Sequence, residues 1–265
     1  MINSAPTTSL NVAGIDWIYT GIMLVSIVTA AWLYRKSPST AQLTRRQRWA
    51  IGLGAFCGGM IGAKLPFVLA DGDGWLGGPA WLDNGKTIMF GMVGGYFGVE
   101  LAKGLSGVKQ KTGDSFAVPV AVAVGIGRLA CFQAGCCYGT ATSVPWACRF
   151  ADGLPRHPTQ LYEVIFHFAT ASALMAFQST GHFREQRIKL YFVSYFGYRF
   201  ASEFIRPEPP LWGGLTAYQW AAVAFIPLFG TLWAVDARRL ARSSSASLAS
   251  TATAANMPAH NQIVR

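Results

Sequence analysis

The stretch GRLACFQAGCCYG, residues 127–139, sets one arginine and three cysteines inside an otherwise apolar sequence. Arg128 follows an apolar run from Phe116 to Ile126 and has no acid three or four positions away. A guanidinium so placed needs a counter-charge from another helix, from a ligand or from water. Its planar fork suits phosphate oxygens, which it binds bidentately. Cys131, Cys136 and Cys137 leave several chemistries open. Cysteine is a common small filler of buried positions. Three thiols can also ligate a soft metal, although C-x4-C-C is not a standard zinc spacing. Cys136 and Cys137 can pair with each other, or one of them with Cys148, on an oxidising side. A thiol beside Arg128 can act as a nucleophile, because the cation favours thiolate.

Two more stretches carry chemistry. In YRFASEFIRPEP, residues 198–209, Arg199 and Glu203 stand four apart and share a helix face, and Arg206 follows within a turn. Arg, Glu and Arg on one face at a membrane edge read as a receptor for an anionic headgroup. In RHPTQLYE, residues 156–163, His157-Pro158 ends a loop and Thr159 is the expected N-cap of a helix whose first turns bear Gln160, Tyr162 and Glu163. A capped interfacial helix start with an anchoring tyrosine would look the same. The alternative is a polar cluster close to Arg128.

The elements that must hold these groups are membrane helices. The 265 residues are 52% hydrophobic and 13% charged, with 29 glycines, whereas soluble domains carry about 25% charged residues. Seven segments approach the roughly 20 residues a span needs. They are Ile15–Tyr34, Trp49–Ala70, Thr87–Lys103, Ser115–Gly135, Thr159–Gln178, Leu190–Ile205 and Tyr218–Val235. The third and sixth are short and interrupted by glycine or charge. The expected fold is thus all-α, a polytopic membrane protein of seven transmembrane helices. Fifteen of the 22 Lys and Arg residues fall on one side of this arrangement, four on the other and three within spans. The positive-inside rule then puts the N-terminus outside and the C-terminus in the cytoplasm. The formal charge of +10 is explained by those loops and implies no nucleic acid. Residues 1–14 form an external N-terminus, 15–235 the membrane domain, and 236–265 a basic and then disordered tail, small and polar in composition. The first twelve residues hold no Lys or Arg, so a cleaved leader is not expected. Five cysteines, odd in number and irregular in spacing, give no disulfide framework. Ionisable residues inside spans are costly and mark function by default. Here they are Lys64, Glu100, Arg128, Glu163, Arg199 and Glu203. Lys64 and Glu100 lie near span ends and are equally well read as ion pairs or snorkelling chains.

Taken together, Gly127-Arg128, Gly135, Gly139, Pro145-Trp146, Arg156 to Glu163, Arg199 to Pro207 and Leu215 to Trp220 closely resemble the motifs of the bacterial prolipoprotein diacylglyceryl transferases. The resemblance runs from about Gly52 to Val235 in order and spacing. It implies a seven-span enzyme of the bacterial cytoplasmic (inner) membrane, without cofactor or metal. Such an enzyme moves the diacylglyceryl group of phosphatidylglycerol to the lipobox thiol of a preprolipoprotein. It further implies catalytic roles for Arg128 and Arg199 as a phosphate clamp, with Glu203 orienting Arg199, and substrate-binding positions at Arg206, His157, Gln160, Tyr162, Glu163, Gly94 and Gly95. Three departures accompany it. In FGMVGGYFG, residues 90–98, Val93 stands where the family has a histidine, which removes a candidate base. Cys131 replaces an asparagine, and Ala134 and Cys136 replace later polar residues. The second reading is therefore a membrane protein of the same fold that binds or transports a thiol compound or soft metal through its cysteines.

Overall fold

A computed structural model of the chain describes residues 16–37, 42–70 and 87–255. The external N-terminus expected at 1–14 and the last ten residues of the tail lie outside the described residues. Among the described residues stand seven α-helices, one for each predicted segment. They are α1 (Trp17–Lys36), α2 (Arg45–Ala70), α3 (Ile88–Leu105), α4 (Asp114–Gln133), α5 (Thr159–Ser179), α6 (Arg187–Ser202) and α7 (Ala217–Ala255). A two-residue antiparallel hairpin, β1 (Cys148–Arg149) with β2 (Pro155–Arg156), lies between α4 and α5. Helices α1, α2, α4 and the first 26 residues of α7 are long and apolar enough to cross a membrane. The remaining helices α3, α5 and α6 have 18, 21 and 16 residues.

Two corrections concern helix ends. The sixth segment was expected to be helical to Ile205, but α6 ends at Ser202 and Glu203–Ile205 form one 3-10 turn. Residues 243–255, expected to be disordered from composition, continue α7 to Ala255. Five of the ten residues from Ala246 to Ala255 are alanine, the best helix former, and they extend a helix already nucleated upstream.

The molecule is turned inside out relative to a soluble domain. Val28 and Ile165 are 65% and 68% exposed, while Gln160, Glu163, His167, Arg199 and Glu203 are almost wholly buried. Outward apolar side chains suit hydrocarbon, and inward polar ones find partners there. The core gathers Tyr191, Tyr195 and Phe196 of α6 with Phe229 of α7, Met89 of α3, Ala121 of α4 and Leu174 of α5. Val93 packs against this same cluster. The ends of the bundle differ in charge. At one end Lys111 and Lys189 converge on Asp236, and Arg187 pairs with Asp114 at 3.2 Å. These lysines and Arg187 come from loops assigned to one side by the charge count. Glu100, read as an ion pair or a snorkelling chain, pairs with Lys103 at 2.9 Å near the end of α3. The opposite end carries the residue 134–158 connection with its hairpin.

Helices α2 and α3 touch backbone to backbone. Gly54, Gly58 and Gly62 face Gly94 and Gly98. A methyl group at Gly54 would stand 2.6 Å from the carbonyl oxygen of Gly98, and one at Gly94 would stand 2.8 Å from the Gly62 Cα. Small residues at four-residue spacing allow such approach, and lipid offers no hydrophobic drive to replace it. The α3 start is tied to α2 by the Thr87 N–H, which donates to Ala63 O at 2.9 Å. A second pair, α1 with α4, is linked by the Ser26 hydroxyl donating to Ala123 O at 2.8 Å.

The close contact predicts an asymmetry between glycines on one helix. Gly58→Leu should cost about 1–3 kcal/mol, the range for forcing volume into a packed contact. Gly52→Leu, with nothing within 4 Å of its added carbon, should stay within about 0.5 kcal/mol. Reversible unfolding in mixed micelles compares the two, and equal losses would mean that the glycine contact does not hold α2 to α3.

Candidate functional site

Arg128 lies in the last two turns of α4 and is 7% exposed. The partner required from another helix is Glu163 of α5, whose Oε2 is 2.6 Å from Arg128 Nη2. The other oxygen of Glu163 accepts a 2.8 Å hydrogen bond from the Tyr195 hydroxyl of α6. Arg206 approaches the same carboxylate, with Nη1 at 3.6 Å from Oε2. A second carboxylate completes the cluster. Glu203 Oε2 is 2.8 Å from Arg199 Nη2 and 4.0 Å from Arg206 Nε, and its Oε1 accepts from the Thr216 hydroxyl at 3.0 Å. The guanidinium of Arg199 also covers the Tyr218 ring at 4.5 Å. Three buried cations therefore share two buried anions.

Local chain geometry explains how they meet. Arg199 occupies the last turn of α6, and the 3-10 turn that follows keeps Glu203 beside it. Arg206 then leaves the helix in extended geometry, φ −109 and ψ 149, which lets its side chain fold back between Glu163 and Glu203. Donor capacity remains unused: Arg128 Nε, Arg199 Nη1 and Arg206 Nη1 are buried and have no hydrogen-bond acceptor among the described residues. An unmatched positive charge with free donors suits an anion with several oxygens.

Arg128 alone of this cluster lines an apolar cavity of about 530 Å³, and the other four charged residues lie behind it. The cavity lies between the α1–α4 pair and the α2–α3 pair. Met23, Phe56, Met60, Met92 and Phe116 line it, with Arg128, Cys131, Cys136 and Cys137 at one end. Gly95 borders the cavity, whereas Gly94 is spent on the contact with α2. Among the described residues no histidine lines it.

The RHPTQLYE residues divide into two groups. Glu163 joins the charge cluster. Gln160 is buried and donates through Nε2 to the Cys136 carbonyl at 2.5 Å. Thr159 is not the N-cap expected of it: Pro158 holds that position, and the Thr159 hydroxyl donates to Cys137 O at 2.8 Å. His157 and Tyr162 stand apart from the arginines. The Tyr162 oxygen is 3.1 Å from His157 Nδ1 and accepts from the Trp146 indole at 2.7 Å. Gly139 is fixed by the close approach of the chain: an added carbon there would lie 2.6 Å from Ile205 O. Its N–H donates to His157 O at 2.8 Å.

All five cysteines are free thiols. The bridge considered between this stretch and Cys148 is not formed, and Cys148 is buried in the hairpin. The sulfurs of Cys131, Cys136 and Cys137 lie within 4.8 Å of one another. Sequence reasoning gave no role to Tyr195, Thr216, Tyr218 or His167. Thr216 and Tyr218 sit inside the quoted Leu215–Trp220 motif, and Tyr195 lies one turn before Arg199, so a signal existed for these three. His167, one turn after Glu163, meets the Tyr191 hydroxyl through Nδ1 at 3.0 Å, and only the fold shows it.

The prolipoprotein diacylglyceryl transferase family model matches residues 8–235. The chain is 29% identical over 206 residues to the phosphatidylglycerol–prolipoprotein diacylglyceryl transferase of Clostridium tetani, covering 72% of this chain and 81% of that one. It is 30% identical over 232 residues to the protein of that name from Solidesulfovibrio magneticus, covering 80% and 84%. The protein of that name from Vibrio vulnificus is 31% identical over 224 residues, covering 78% and 80%.

Removing one carboxylate tests how the cluster is balanced. Glu163→Gln should destabilise the protein by about 3–5 kcal/mol, since it strands Arg128 in the interior. Tyr195→Phe should cost only about 1 kcal/mol, the worth of one hydrogen bond. Titrating folded protein with denaturing detergent ranks them. Equal losses would show that Arg128 draws its counter-charge from elsewhere.

Proposed function

The chain belongs to the prolipoprotein diacylglyceryl transferase family, and from that premise we propose how its buried cations perform the transfer. The protein is a membrane transferase of lipoprotein biosynthesis. Its donor is phosphatidylglycerol and its acceptor is the lipobox cysteine of a prolipoprotein. The sulfur of the acceptor bonds to the diacylglyceryl carbon, the carbon–oxygen bond to phosphate breaks, and glycerol phosphate leaves as the thiol proton is released.

The observation that carries the assignment of roles is the buried cluster of three guanidiniums against two carboxylates, which reaches an apolar cavity through Arg128. Acyl chains fit the apolar walls and the phosphate fits the unused N–H donors of Arg128, Arg199 and Arg206. Charge grows on the phosphate oxygens as glycerol phosphate departs, so fixed guanidiniums stabilise the transition state more than the ground state. Glu203 and Glu163 are positioning residues that hold Arg199 and Arg128. Gln160 fixes the loop at the Arg128 end of the cavity. His157 and Tyr162, linked to exposed Trp146, would meet substrate at the lipid–water boundary. Gly95 gives the lipid room along α3, and Gly94 does so through the α2 contact.

The same reading makes all seven helices membrane spans, with the N-terminus outside and the basic end in the cytoplasm of a bacterial inner membrane. The clustering of Lys111, Lys189 and Arg187 at one end supports it. The arginine cluster then sits toward the outer leaflet, where an exported acceptor arrives. Val93 lies in the core and supplies no base, so the acceptor thiol must ionise without the family's histidine.

A lipobox peptide offered to purified protein in phosphatidylglycerol micelles should gain a diacylglyceryl adduct by mass spectrometry. Arg128→Ala should reduce the rate more than ~100-fold, the scale for removing a transition-state donor. Arg199→Lys should lower it less, because one point charge replaces a fork. Folded protein that binds the lipid and yields no adduct would refute the proposal.

A further inference from the structure

We propose that Cys131, Cys136 and Cys137 form a three-thiolate site for a soft, thiophilic d10 cation of the Cu(I) type at the Arg128 end of the cavity. This inference is independent of the transfer reaction, since occupancy can be read without turnover.

Three observations converge on it. The first is sulfur geometry. The three Sγ atoms lie within 4.8 Å of one another, although Cys131 belongs to α4 and Cys136 and Cys137 to the turn beyond it. With metal–sulfur bonds near ~2.3 Å, a trigonal set has its sulfurs about 4 Å apart. An ion at the centre therefore needs them to close by less than about an ångström. No His, Asp or Glu joins the group among the described residues. A set of sulfur alone with three members suits a soft monovalent cation, whereas zinc takes four ligands.

The second is backbone. The turn is made by two left-handed residues, Gly135 at φ 65 and Cys137 at φ 60. Glycine takes that conformation freely, and a cysteine does not. Filling space needs neither this strain nor three converging sulfurs. Strain of this kind gathers at functional sites. Cys137 is the residue whose position depends on it.

The third is support and access. Each thiol-bearing residue is held by a group outside the cluster or by the turn itself. The Cys136 N–H donates to Cys131 O at 3.1 Å, Gln160 holds the Cys136 carbonyl, and Thr159 holds the Cys137 carbonyl. Such outer contacts orient ligands before a metal arrives. Arg128 Nη1 stands 4.0 Å from Cys131 Sγ and offsets the negative charge that three thiolates around a monovalent ion retain. All three cysteines line the cavity.

The test is a Cu(I) titration of the reduced full-length protein in detergent against a competing chelator. Expected is one ion per chain, an ultraviolet sulfur-to-copper band, and a three-sulfur shell near ~2.3 Å by X-ray absorption. Cys131→Ser and Cys137→Ser should each weaken binding at least tenfold. Cys57→Ser and Cys148→Ser should leave it unchanged, which separates ligand loss from misfolding. Three results would overturn the site: copper bound equally by all four variants, a shell with fewer than three sulfurs, or a disulfide between any two of the three thiols in protein purified without oxidant.

Discussion

Three buried guanidiniums share two buried carboxylates, and the rest of the structure serves that imbalance. In a low-dielectric setting a charge without a partner is expensive, and one that is paired and hydrogen-bonded is tolerable. Glu163 and Glu203 each accept one hydrogen bond, from Tyr195 and Thr216, and turn the other oxygen to an arginine as an ion pair. The arginines are anchored less fully. On the proposed reading their free N–H groups receive the phosphate, and the apolar cavity beside Arg128 receives the hydrocarbon part.

The cavity owes its shape to contrasting helix contacts. Glycines let α2 and α3 meet along their backbones, which keeps side chains such as Phe56 and Met60 free to face the cavity. On the other wall, Ser26 ties α1 to α4 and sets Tyr19 and Met23 along the same space. Aromatic residues of α6 and α7 fill the remaining interior and leave the polar groups of α5 and α6 gathered at one end.

Much of this was legible in the sequence because hydropathy and isolated charges act locally. Every helix appears where an apolar run predicts it, and of the three partners open to an arginine without a neighbouring acid (another helix, a ligand or water) the fold supplies the first in Glu163. What was not legible depends on chain reversal. The hydroxyl of Thr159 looked like a helix cap, yet the returning loop offers it the Cys137 carbonyl instead. His157 and Tyr162 looked like neighbours of Arg128, but a helix points residues 162 and 163 about 100° apart, and only Glu163 faces inward. The glycines of the Val93 stretch resembled a substrate motif, and half of them are consumed by packing. The alanines near the C-terminus read as tail because small residues suit both disorder and helix, and the helix before them decides.

The order of partners along the chain has a consequence for biogenesis. On the seven-span reading proposed above, Arg199 and Glu203 neutralise each other across one helix end, so α6 enters the bilayer with that charge already answered. Arg128 does not find Glu163 until the next helix has been made. A lone arginine costs up to about 2.5–3.5 kcal/mol on insertion at the helix centre and less toward the helix end, where Arg128 stands. Helix α4 therefore leaves the insertion machinery most readily in company with α5, and the loop that carries the cysteines is the tether that makes the two a single cargo.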